Sequence, residues 1–171
     1  MKIVLVGYMG SGKSAVSEKL AKKLNLKALD LDFIIEKNEN QSISDLFLNK
    51  GELYFRKKEH EFLNNLLSNE TDFVLSLGGG TPCYAGNHLF LEQPDVVSIY
   101  LKTTIETLIN RLEPAKSQRP LLANLNNDEL KEFIGKHLFE RSYYYNFAKH
   151  TISTDAKSVE TIVKEIADLL F

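Results

Sequence analysis

With 171 residues, 43% of them hydrophobic and 26% charged, the chain has the length of one domain and a globular composition. That excludes collagenous, coiled-coil and disordered classes. A net charge of −2 lacks the basic excess of a nucleic-acid binder, and every apolar run is far shorter than the roughly 20 residues that span a bilayer, so neither nucleic acid nor membrane is an expected partner.

The opening run Lys2–Val6 is apolar and rich in β-branched residues, the pattern of a strand buried on both faces. Its short length and the lack of a small-residue cleavage site argue against a secretory leader. Val16, Leu20 and Leu24 then predict a helix over 13–25, and Leu26–Leu29 predicts a short strand ending at Asp30. Ser42 and Asp45 have the spacing of a helix cap with Ile43, Leu46 and Phe47 on one side. Asp72–Leu77 and Val96–Leu101 read as two more buried strands. Thr103 and Glu106 are the predicted cap of a helix bearing Ile105, Leu108, Ile109 and Leu112. Residues 113–125 form the one long stretch without periodicity, polar and proline-bounded, as active-site lids often are. A helix over 126–145, a weak strand at His150–Ser153 and an amphipathic helix carrying Val159, Ile162, Val163, Ile166 and Leu169 complete the chain. Five strands separated by helices imply a single α/β domain over 1–171, built on a parallel sheet covered on both faces. The one cysteine, Cys83, allows no internal disulfide and fits a reducing, cytoplasmic setting.

Gly7-Tyr8-Met9-Gly10-Ser11-Gly12-Lys13-Ser14 matches the G-x-x-x-x-G-K-[ST] phosphate loop, placed after a strand and before a helix as the motif requires. The glycines let backbone N–H groups turn toward phosphate oxygens, and the helix N-terminus that follows favours anions. Lys13 supplies a cation for the β- and γ-phosphates and Ser14 a hydroxyl for Mg²⁺. Nucleoside triphosphate binding follows; the acceptor does not.

The acceptor side is read from scattered residues. Asp30 and Asp32 stand just past the carboxyl end of the second strand, where ligands bind in open α/β sheets. The pair suits Mg²⁺ and an acceptor hydroxyl, and equally a helix N-cap with an acidic first turn. Arg56, within Gly51-Glu52-Leu53-Tyr54-Phe55-Arg56-Lys57-Lys58-Glu59, and Arg141 each read alone as exposed helical cations. Gly78-Gly79-Gly80 offers bare N–H groups after a hydrophobic strand, or a flexible connection. Arg119, in Arg119-Pro120-Leu121-Leu122, puts a cation in the expected lid. Taken together and in order, these motifs resemble the shikimate kinases, over essentially the whole chain from Ile3 to about Ile166. The phosphate loop alone is shared by many NTPases; Asp-x-Asp, Phe-Arg-x-x-Glu and the glycine triplet together are far more specific.

The resemblance implies a P-loop kinase fold, a three-layer α/β/α arrangement with a central five-stranded parallel sheet, a substrate region over roughly 32–60 and a mobile lid over roughly 113–125. It implies transfer of the γ-phosphoryl of ATP to the 3-hydroxyl of shikimate, with Mg²⁺ as cofactor and a monomeric enzyme. By carry-over, Gly10, Ser11, Gly12, Lys13, Ser14, Ala15, Arg111 and Arg119 bind ATP, and Ser14 and Asp30 hold the metal. Asp32, Arg56, Gly78, Gly79, Gly80 and Arg141 bind shikimate; Lys13, Asp32 and Arg119 carry catalysis. Phe47 and Phe55 wall the ring, and Glu59 orients Arg56. Ala15 stands where the family frequently has threonine. The other readings weighed are a gluconate or nucleoside monophosphate kinase and a catalytically dead kinase-like module. No base pocket for a nucleotide acceptor is visible in the sequence, and Lys13, Asp32 and the arginines are all present. Cys83, the four histidines and Tyr143-Tyr144-Tyr145 are read as packing or surface residues.

Overall fold

The β-branched opening run becomes the centre of a sheet. In the computed structural model, which describes residues 1–69, 71–119 and 121–171, β1 (Lys2–Val6) is buried at every position between β3 (Phe73–Ser76) and β4 (Val96–Lys102). β2 (Lys27–Asp30) and β5 (His150–Ser153) are the edges, in the order β2-β3-β1-β4-β5, and every pairing is parallel. Each parallel step needs a crossover. The helices between the strands are α1 (Lys13–Leu24), α2 (Leu31–Glu39), α3 (Ile43–Ser68), α4 (Ile105–Leu112) and α5 (Asn127–Tyr145), and α6 (Val159–Leu170) follows β5.

Alternation along β1 divides the core into two layers. Ile3 and Leu5 face Val16 and Leu20 of α1 and Ile162, Val163 and Ile166 of α6. Val4 and Val6 face the opposite side, with Leu31, Leu63, Leu108, Leu130 and Ile134 from α2, α3, α4 and α5. The amphipathic C-terminal helix therefore docks on the sheet. Among the described residues, no helix is long and apolar enough to cross a membrane.

Several local expectations change. The cap of α4 is Thr104, not Thr103: the Thr104 hydroxyl accepts from the Thr107 N–H, while buried Thr103 pairs with Thr154 at 2.7 Å. The stretch 113–125 is not wholly irregular: Glu113–Gln118 is a 3-10 segment with its proline in the first turn, where a missing N–H is harmless. Pro120 lies outside the described residues. α2 opens at Asp30, the helix cap that the second reading of Asp30 and Asp32 allows, and α3 is broken by Gly51 at φ 83°, a left-handed value that favours glycine. Both parts reach the core, through Leu46 before the break and Phe55, Leu63 and Leu67 after it.

Candidate active site

At the carboxyl end of β1, Gly10 (φ 82°) and Gly12 (φ 94°) take left-handed conformations and wrap the phosphate loop into the start of α1. The Lys13 ammonium donates to the carbonyls of Gly7 (2.8 Å) and Tyr8 (3.0 Å), which holds it across the loop. Burial pulls its pKa down to about 8, although Asp32 and Asp30 pull it upward. Ser11 is buried, and its N–H donates to the Tyr8 carbonyl within the loop.

A cleft of about 330 Å³ opens here. The loop contributes Gly10, Gly12, Lys13, Ser14 and Ala15; the acidic pair, Gly78, Gly79 and Arg119 complete its wall. A larger groove, about 1180 Å³, lies between α4 and α5 and includes neither the phosphate loop nor the paired arginines. The smaller cleft holds the convergent charges that chemistry needs.

Asp30 and Asp32 take the helix-cap arrangement and still face the cleft. Asp30 is the N-cap of α2, its side chain accepting from the Phe33 N–H at 3.2 Å, and Asp32 sits in the first turn. Both nonetheless line the cleft. Burial first, then the carboxylates of Asp30 and Glu59, push Asp32 up to about 6 against the pull of Lys13. A carboxylate poised there takes up a proton close to neutral pH.

The two arginines come together. Arg56 on α3 lies so close to Gly80 that an added Cβ there would meet its Nη2 at 3.0 Å, and Arg141 on α5 so close to Gly79 that a Cβ would meet its Nη1 at 3.4 Å. Three glycines in a row are thus the room in which two guanidinium groups approach one backbone arc. Arg56 donates to the Glu59 carboxylate at 2.9 Å; Glu59 is 1% exposed and also accepts from the Thr81 hydroxyl at 2.6 Å. Burial works against the Arg56 charge, yet Glu59 raises its pKa above the ordinary value. Arg56 therefore stays charged and fixed, not a solvated cation. Phe47 and Phe55 pack ring to ring at 4.9 Å beneath it, with Phe55 largely in the core.

Arg111 joins the loop to the far edge of the sheet: it donates to the Gly10 carbonyl (3.2 Å) and the Thr154 carbonyl (3.2 Å). Arg119 stands exposed at the end of the 3-10 segment and reaches the cleft. Cys83 is half-buried, and burial pushes its thiol up to about 11, consistent with packing and not nucleophilic use. Sequence reasoning passed over four aromatic and polar neighbours: Tyr84, whose ring lies 3.9 Å from the Arg56 guanidinium carbon; Tyr8, 5.7 Å from that of Arg141; Thr81; and Tyr145. Only Tyr145 carried a legible signal, being four residues and so about one helical turn beyond Arg141.

Comparison with known proteins follows the same lines. The family model described as shikimate kinase matches residues 9–171. A shikimate kinase of Flavobacterium psychrophilum is 55% identical, covering 99% of this chain and 99% of its own, and that of Flavobacterium johnsoniae is 52% identical, covering 99% and 98%. Among solved structures, the shikimate kinase of Bacteroides thetaiotaomicron superimposes with a TM-score of 0.91 at 34% identity, covering 99% of this chain and 98% of that one. The Acinetobacter baumannii shikimate kinase in complex with shikimate superimposes with a TM-score of 0.86 at 34% identity, covering 99% and 92%.

Proposed function

This chain belongs to the shikimate kinase family, and on that premise we propose that it transfers the γ-phosphoryl of ATP to the 3-hydroxyl of shikimate, giving shikimate 3-phosphate and ADP. The observation that carries the acceptor is the convergence of Arg56 and Arg141 on the glycine arc beside Asp32. A small polyhydroxy acid needs paired cations for its carboxylate and an acceptor for one hydroxyl proton, and a planar guanidinium meets a carboxylate with two parallel bonds.

The roles follow from position. Backbone of the phosphate loop and the Lys13 ammonium bind the β- and γ-phosphates, and Arg119 approaches the same charge from the lid. Asp32 takes the proton of the acceptor hydroxyl as its oxygen bonds to the γ-phosphorus and the bond to the β,γ-bridging oxygen breaks; ADP departs. Arg56 and Arg141 orient the carboxylate, with backbone N–H groups of Gly78, Gly79 and Gly80 beside them. The edge of Arg111 is committed to Gly10 and Thr154, so its contact with the base is through the guanidinium face.

Ser14 and Asp30 present hard oxygen donors on one wall of the cleft, a set that fits Mg²⁺, an ion usually held by few protein groups together with substrate phosphates. When bound, Mg²⁺ neutralises phosphate charge. The proposed enzyme works as a monomer in the cytoplasm.

The test is an acceptor panel of shikimate, quinate, gluconate and nucleoside monophosphates with ATP and Mg²⁺, read as ADP formed. Shikimate is expected to give the highest kcat/KM. Preference for gluconate or a nucleotide overturns the assignment.

A further inference from the structure

Tyr145 ends α5 with no exposed surface, and its hydroxyl donates to the Gly79 carbonyl at 2.6 Å, across 66 positions of sequence. The other two carbonyls of the arc have local partners: Gly78 accepts from the Thr81 N–H at 3.1 Å, and Gly80 from the Cys83 N–H at 2.9 Å. Those two bonds belong to the 3-10 turn over Thr81–Cys83. The middle carbonyl of the arc is therefore pinned by a side chain of the helix that carries Arg141.

Three consequences follow from elementary chemistry. Glycine torsions are weakly restrained by themselves, so an arc of three needs external pins to keep one shape. A hydrogen bond to a peptide carbonyl polarises the N–H at the other end of the same unit, here that of Gly80. Tyr145 and Arg141 lie about one turn apart on α5, and both meet Gly79, so one contact sets the distance at which the other works. Burial pushes the Tyr145 phenol well above its ordinary pKa, which keeps the hydroxyl a donor.

We propose that Tyr145 is a positioning residue for the acceptor carboxylate: its hydroxyl fixes the Gly79–Gly80 peptide and, through it, the reach of Arg141. This rests on the reading of the site as a shikimate kinase. It distinguishes Tyr145 from Tyr100, whose ring packs against it at 5.1 Å but whose hydroxyl makes no hydrogen bond to the arc among the described residues.

The experiment uses the full chain with Tyr145→Phe, which removes one hydroxyl and keeps the ring, and Tyr100→Phe as control. Loss of one neutral hydrogen bond is expected to raise the KM and the calorimetric Kd for shikimate by about 5-fold. ADP affinity should stay within about twofold and kcat within about threefold, and Tyr100→Phe should match the parent on all of these. A Tyr145→Phe enzyme with lowered melting temperature but unchanged shikimate KM has lost only a structural bond and overturns the proposal. So does an equal loss in both substrates, or an equal effect from Tyr100→Phe. Should Tyr145→Phe not fold, 3-fluorotyrosine at position 145, which keeps the shape and strengthens the donor, must move the shikimate KM by at least about twofold; no movement overturns the proposal. A parent enzyme that ignores shikimate overturns the substrate reading as well, whereas a parent that uses shikimate beside an unaffected variant overturns the role of Tyr145 alone.

Discussion

The two halves of the site are built in opposite ways. The phosphate side is nearly continuous in sequence: Gly7 to Ser14 form a loop whose own carbonyls hold Lys13, and one helix N-terminus supplies the rest of the field. The acceptor side is assembled from far apart, with Asp32 from α2, Arg56 and Glu59 from α3, the glycine arc after β3, and Arg141 and Tyr145 from α5. A contiguous cradle is preorganised by its backbone; a dispersed clamp is preorganised by bonds between elements. Damage should therefore differ in kind. A change on the phosphate side should remove chemistry and leave the fold, while a change in the arginine clamp or its supports should alter one substrate's affinity and propagate through partners; Asp32, on the acceptor side but next to the reacting hydroxyl on the proposed reading, should affect turnover first.

The largest effect tests the phosphate side. Lys13→Ala should lower kcat by about 10²-fold or more, because on the proposed reading the ammonium meets charge that grows in the transition state. Far-UV dichroism and melting temperature should stay near the parent's, since Lys13 bonds only within its own loop. Turnover within threefold of the parent's would show that the loop binds phosphate without it.

Next comes the clamp. Arg56→Lys and Arg141→Lys keep the charge but lose the planar fork. Each should weaken shikimate binding by about 2 kcal/mol or more, roughly 30-fold in Kd, with ADP affinity unchanged. The double variant should lose less than the sum, because on the proposed reading both groups hold one carboxylate. Calorimetry decides: strict additivity would mean that the two arginines serve separate ligands.

That contrast also governs what the sequence disclosed. The sheet was legible because β1, β3 and most of β4 are buried and read as nearly continuous apolar runs. The phosphate loop was legible because its chemistry is local. Arg56 and Arg141, taken singly, look like exposed cations, and only the resemblance to a family joined them. What stayed hidden was support supplied at a distance: Thr81 to Glu59, Tyr84 over Arg56, Tyr145 to Gly79. Apart from the one-turn spacing of Tyr145 from Arg141, none has a periodicity, since each depends on which loop the sheet order brings alongside. α2 was legible only as the helix-cap reading of Asp30 and Asp32, because its apolar residues Leu31, Ile34 and Ile35 begin directly at the end of β2, with no linker between the two elements. The lid was over-read as irregular because Pro114 punctuates a 3-10 turn as readily as a loop.

Acid and base limbs offer a smaller effect that weighs the two sides together. Asp32, pushed up to about 6, belongs to the acceptor side, and Lys13, pulled down to about 8, to the phosphate side. The free enzyme's kcat/KM should fall below pH 6 as Asp32 gains a proton and can no longer accept one, and above pH 8 as Lys13 loses its charge, by about tenfold per unit at the extremes. Lys13→Arg should move the alkaline limb up and leave the acid limb in place. A flat profile from pH 5 to 9 would remove both assignments.

The smallest effect is on stability and isolates the acceptor side in the substrate-free enzyme. Asp32 faces Asp30, Glu36 and Glu59 as well as Lys13, and burial is the largest influence on it. The first turn of α2 favours a carboxylate, but burial and three like charges outweigh that. The sign follows from linkage. Below pH 3.8, its ordinary pKa, Asp32 is protonated in both folded and unfolded chains and has no effect. Between pH 3.8 and about 6 the folded chain binds a proton that the unfolded chain does not, so stability falls as pH rises; above 6 the full penalty of the half-buried carboxylate is present. Asp32→Asn is neutral throughout. It should melt with the parent near pH 4 and above it at pH 7.5. Because Asp32 is only half-buried, water screens the shift, and the gain is expected to be about 1 kcal/mol, or about 3 °C in a chain of this size. The same variant should lose most of its turnover while retaining shikimate binding better than either arginine variant does. Thermal melts at the two pH values read the difference directly: an advantage independent of pH would place the Asp32 charge in water, and a loss at pH 7.5 would mean that Lys13, not burial, dominates its surroundings.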